Sequence, residues 1–202
     1  MDFIHKLIAE AVTLFAIINP LGNLPVFESL LIDTSPELKR KTYLNAIIYS
    51  VITLLIFTFL GVSLLENIFH ISIYEFKFAG GIILMVLGTK SLLFPEKKEM
   101  LEKQFSMTQL MEMAVTPIAC PLLIGPGAIL TSILNYQRNG FFIAFTSIIL
   151  VFVFVYIIFF YSSRIMKIMG KFGSILISRI MQIIIISVGV HFVVTASKVL
   201  WK

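Results

Sequence analysis

The 202-residue chain is 58% hydrophobic and 13% charged, about half the charged fraction of a soluble domain, and its mean hydropathy is +0.99. No soluble core uses so much apolar sequence, so the solvent is lipid. The formal net charge of +5 is spread over short connections and forms no patch suited to nucleic acid, and one cysteine, Cys120, allows neither a disulfide framework nor a Cys-based metal site.

The first apolar run, Leu7 to Leu31, is long enough to cross a bilayer but is interrupted by Pro20 and Pro25, and reads as a broken helix. Nothing before it resembles a basic segment with a small-residue cleavage site, so it is kept as helix one. Leu44 to Leu65 and Phe78 to Phe94 follow as unbroken spans. Beyond a charged connection, the run from Leu110 to Leu134 is again broken, by Pro117, Pro121 and Pro126. Phe141 to Ser163 and Ile180 to Ser197 complete six spans. The expected fold is an all-α polytopic membrane protein, a single integral membrane domain over residues 1–202.

Lysines and arginines alternate in density between connections. Lys39, Arg40, Lys41, Lys97, Lys98, Lys103, Arg164, Lys167 and Lys171 stand against Lys6, Lys77, Arg138, Lys198 and Lys202, nine against five. The positive-inside bias puts the denser side in the cytoplasm and both termini on the outer, periplasmic side of a bacterial inner membrane.

Shifting the chain by 101 positions lays Pro20 on Pro121, Pro25 on Pro126, Leu21 on Leu122, Phe59 on Phe160 and Gly88 on Gly189. Repeat A then covers about 1–95, a connecting loop about 95–105 and repeat B about 106–202. Each half holds three spans, an odd number, so the halves enter the membrane from opposite sides. This is the inverted-repeat plan of many secondary transporters, with helices 1 and 4 broken at Pro-rich motifs.

The residues at the first break, Asn19-Pro20-Leu21-Gly22-Asn23-Leu24-Pro25-Val26-Phe27, resemble the N-P-x-G-x-x-P-x-F signature of MarC-related membrane proteins. Thr116 to Ile129 is similar to that family's P-L-A-I-P-L-L-A-G-P-G-A-I segment, and Phe78-Ala79-Gly80-Gly81-Ile82 to its R-I-A-G-G-I segment. The departures, Ile118, Cys120, Ile124 and the Lys77-Phe78 pair, remove no proline or motif glycine. The family takes its name from a locus linked to multiple antibiotic resistance, and a related branch is described as carrying small neutral amino acids such as glycine and alanine. The resemblance therefore implies a transporter of a small neutral solute.

Broken helices suit a zwitterion. A proline removes one N–H and frees the carbonyl four residues earlier, and such groups are tolerated where they line a polar cavity near the bilayer middle. Asn23 or Leu24 before Pro25, and Gly125 before Pro126, read as caps of new half-helices, whose N-termini carry about half a positive charge suited to a carboxylate. Asn19, Pro20, Gly22, Asn23 and Pro25 from the first half, with Thr116, Pro121, Gly125, Pro126 and Gly127 from the second, form the expected substrate site. Gly22, Gly125 and Gly127 would let backbone approach a ligand. The alternative is that the breaks pack on each other as a rigid joint, satisfied by Asn19, Asn23 and Thr116.

Glu10 and Glu112 lie inside spans, where carboxylates are costly, and Glu28 falls three residues after Pro25 in the first turn of the expected half-helix. These three are the candidate coupling groups. His191 reads as an interfacial or packing residue, and Gly80, Gly81 and Gly88 as a surface for close helix packing.

With no Walker A sequence, coupling falls to H+ or Na+, and no other cofactor is expected; the partners are the bilayer and a small-molecule substrate. H-E-x-x-H, G-x-S-x-G and paired embedded aspartates are all missing, which counts against an intramembrane enzyme. Drug or metabolite efflux and a non-transporting membrane component remain as alternatives to amino-acid transport.

Overall fold

A computed structural model describes residues 2–31, 34–93 and 123–201. It is all helical over these residues, in the order α1 (Asp2–Ile18), α2 (Pro20–Leu30), α3 (Pro36–Ser63), α4 (Ile73–Leu93), α5 (Pro126–Phe160) and α6 (Ser162–Leu200), with a π-turn (Leu64–Ile68) extending α3. Five stretches are long and apolar enough to cross a membrane: Phe3–Pro25, Pro36–Ile68, Ile73–Leu93, Pro126–Phe160 and Ile175–Leu200. Well under half the residues of each are buried, and Ile52, Leu60, Phe142, Phe154 and Ile183 are more than half or about half exposed. Apolar surface on that scale belongs against lipid tails. The expected span Leu110–Leu134 lies outside the described residues up to Pro121 and Leu122, so Thr116, Pro117, Cys120, Pro121 and Glu112 receive no placement.

As a single rod, the 35 residues of α5 would run about 52 Å, far beyond the roughly 30 Å apolar layer. Gly140 breaks it at φ 79°, ψ −178°, and Gly170 breaks α6 at φ 60°, ψ −175°. This corner of backbone space is essentially restricted to glycine. A Cβ at Gly140 would meet nothing within 4 Å, so Gly140→Ala isolates backbone strain from crowding. The variant should lose about 1–3 kcal/mol in a detergent unfolding titration.

α1 runs antiparallel to the first arm of α5, residues 126–139, with Ile17 beside Gly127 and Glu10 beside Asn139. α3 runs antiparallel to the second arm, residues 141–160, with Phe59 stacked on Phe141 at one end (4.8 Å between centroids) and Tyr43 on Phe159 at the other (4.7 Å). Leu14, Ile18, Leu24, Phe27, Leu54, Ile148 and Val151 fill the core between them. α4 lies along α6, and Leu84, Leu130, Leu134 and Phe192 join that pair to α5. Gly81 and Gly189 let their backbones touch: a Cβ on either would sit 2.8 Å from the carbonyl oxygen of the other. Small residues at such a crossing replace the hydrophobic driving force that lipid does not supply.

The first helix breaks one residue before Pro20. Asn19 takes the left-handed conformation (φ 49°, ψ 52°), which asparagine tolerates better than most residues, and Pro20 occupies the first turn of α2. This corrects the expected start at Pro25. That proline sits inside α2, where the ring removes only the bond to the carbonyl of Leu21. Glu28 is accordingly in the last turn of α2, not the first. The helix dipole disfavours a carboxylate there, and Lys39 and Tyr43 of α3 compensate it.

Candidate functional site

Two polar contacts close the first break from within. Asn19 Oδ1 accepts from the Gly22 amide at 3.1 Å, and Asn23 Nδ2 donates to the Ile18 carbonyl at 3.2 Å. Asn19 is buried, and its side-chain amide fills the space a Cβ on Gly22 would need. Gly125 is the extended N-cap of α5 and Pro126 its first residue, as the sequence reading of that pair expects; residues 94–122 lie outside the described ones. Gly127 packs against Leu84 and Ile17, so the start of α5 lies beside the end of α1, and the room a Cβ would need at Gly22 and Gly127 is filled by side chains.

The space large enough for a solute lies next to the α1–α2 break and the start of α5. A cavity of about 390 Å³ opens between α1, the first arm of α5 and α6, within the usual range for small-molecule sites. Glu10 and Thr13 of α1, Thr131 and Arg138 of α5, and Ser187 and His191 of α6 line it. Thr13 and Thr131 are each six residues, about 9 Å of helix, from Asn19 and Gly125 respectively.

Glu10 is held in place from α5. Asn139 Nδ2 donates to Glu10 Oε1 at 2.9 Å and to Asn135 Oδ1 at 3.0 Å. Asn135 Nδ2 donates to Ser147 Oγ at 2.8 Å, and Ser147 Oγ donates to the Ala144 carbonyl at 2.9 Å. The chain of bonds ties the two arms of α5 across Gly140 and ends on α1. Glu10 and Arg138 share the cavity without pairing; the ion pair among the described residues joins Glu28 to Lys39. The Thr131 hydroxyl is buried and has no hydrogen-bond partner among the described residues. Behind Phe192, which lines the cavity, the buried Lys77 holds its ammonium 5.7 Å from the ring centroid.

Of the expected coupling groups, Glu10 reaches the cavity while Glu28 is bound to Lys39 and Tyr43 elsewhere. Thr131, Asn135, Arg138 and Asn139 belong to no motif that marks them in the sequence, where Arg138 counts only as a connection charge. A signal was nonetheless present, since Thr131, Asn135 and Asn139 are four residues apart and so share one helix face.

Apolar helices with lipid-compatible outer faces and a charged cavity between them define a polytopic integral membrane protein. Within that class the chain belongs to the MarC family: the model described as MarC family integral membrane protein matches residues 4–200. It is similar to a UPF0056 membrane protein of Archaeoglobus fulgidus, 33% identical over 190 residues, which span 92% of this chain and 89% of the relative. It is also similar to the UPF0056 membrane protein YhcE of Escherichia coli K12, 33% identical over 196 residues, spanning 92% and 88%. No solved structure matches the chain.

Proposed function

We propose that the protein is a secondary transporter of a small neutral solute, with a small amino acid as the reading the cavity supports best. The observation that carries it is the placing of Glu10 and Arg138 on two different helices around one cavity, neither in an ion pair among the described residues, with the Thr131 hydroxyl between the same helices. A zwitterion answers that arrangement, its ammonium group toward Glu10 and its carboxylate toward Arg138. The breaks then act as the scaffold that lets α1 and α5 move, and Glu10 couples solute to H+ or Na+. The same reading puts the protein in a bacterial inner membrane with both termini outside, as the distribution of lysine and arginine supports.

Alternating access between inverted halves belongs to the same reading, and what supports it is the 101-residue offset that lays Pro20 on Pro121 and Pro25 on Pro126.

Counterflow of radiolabelled glycine and alanine into proteoliposomes tests the proposal. Exchange is expected for the parent and is expected to vanish for Ser187→Trp, which fills the cavity from an exposed position on α6. Absence of flux at every pH and sodium gradient, or full exchange by the tryptophan variant, would overturn it.

A further inference from the structure

A second cavity, of about 430 Å³, lies at the far end of the α3–α5 pair from Phe59 and Phe141. We propose that it holds the phosphate headgroup of an anionic phospholipid whose acyl chains run down the outer face of α3 and α5. Arg40 is the anchor. Its guanidinium lies over Phe160 and donates to the Tyr156 hydroxyl at 3.4 Å, and among the described residues no carboxylate pairs with it. A guanidinium has five donors in a planar fork matched to phosphate oxygens, so most of its bonding capacity is unspent.

Lys39 and Arg40 line the cavity with Glu37, and Lys39 is taken by Glu28, which leaves the Arg40 guanidinium as the cation with donors to spare for an anion. The first turn of α3, capped by Ser35, adds its positive dipole end at the same place. Basic pockets between membrane helices are a recurrent headgroup site.

The tails have a path as well. Arg40, Leu44, Ile48 and Ile52 are four residues apart and therefore line one face of α3, and the three apolar ones are 42%, 44% and 50% exposed. Val153, Ile157 and Phe160 are similarly exposed on the neighbouring arm of α5. A soluble phosphate would use the cavity and leave this apolar track empty, which is why the proposal commits to the lipid.

Native mass spectrometry of the full chain in neutral detergent tests it with phosphatidylglycerol and phosphatidylcholine of matched chain length. The parent is expected to retain phosphatidylglycerol about five-fold better, and Arg40→Gln to erase that preference. Leu44→Trp, which obstructs the track and leaves the charges alone, should lower phosphatidylglycerol retention too, and it carries the test if the arginine variant fails to fold. Equal retention of the two lipids by the parent, unchanged preference in the variants, or full displacement by equimolar glycerol phosphate or inorganic phosphate would overturn the assignment.

Discussion

Alanine at Gly81 or Gly189 will force α4 and α6 apart, at an expected cost of about 3 kcal/mol, the upper end for overpacking. The reason is what each new methyl would meet. At both positions it is the opposing backbone: a carbonyl oxygen at 2.8 Å and an amide nitrogen at 3.0 Å, neither of which can turn away as a side chain would. Gly88→Ala should cost less, about 1–2 kcal/mol, because its nearest neighbour at 2.6 Å is a side-chain atom, Ile186 Cγ1, and the Gln182 carbonyl stands off at 3.3 Å. Gly173→Ala is the control, since it would meet only Met169 Cβ at 3.5 Å on its own helix. That change should be neutral or gain up to about 1 kcal/mol of helix propensity. Reversible unfolding in mixed detergent micelles gives the order; a Gly189→Ala protein as stable as Gly173→Ala would mean the two helices do not cross as described.

The helices were readable because lipid asks for long apolar runs and tolerates little else. Hydropathy located α3, α4, the second arm of α5 and the later part of α6, and two prolines marked the break after α1. What hydropathy and proline spacing did not settle was the residue at which α2 begins. Both Pro20 and Pro25 can start a helix; Pro20 prevails because Asn19 tolerates the left-handed turn and caps Gly22 with its own side chain, while the loss at Pro25 is confined to one carbonyl. That shift of five residues moves Glu28 from the favoured end of a helix to the disfavoured one. The candidate cavity was less legible. Glu10 stood out by its depth, but Arg138, Asn139 and Gly140 look like an ordinary polar turn in sequence. Only the antiparallel approach of α1 to the first arm of α5, a contact made across 129 positions, brings that turn onto Glu10.

Exchange of Glu10 for Gln is expected to separate transport from stability. The variant keeps an oxygen where Asn139 Nδ2 donates, so the hydrogen bonds onward to Asn135 and Ser147 persist and the unfolding midpoint should hardly change. What disappears is the charge. A hydrogen bond to a charged group contributes about 1.5–3 kcal/mol, so counterflow at limiting solute should fall roughly 10–100-fold. Asn135→Leu inverts the pattern. It is 2% exposed and bridges Asn139 to Ser147, so its loss leaves the Ser147 hydroxyl with Ala144 alone and frees the group that holds Glu10. The two lost hydrogen bonds should cost about 1–3 kcal/mol in the unfolding titration, with transport impaired only through the disorder of Glu10. A Glu10→Gln protein that exchanges solute at the parental rate would show that the carboxylate does not face the solute, and the cavity would then need another residue to recognise an ammonium group.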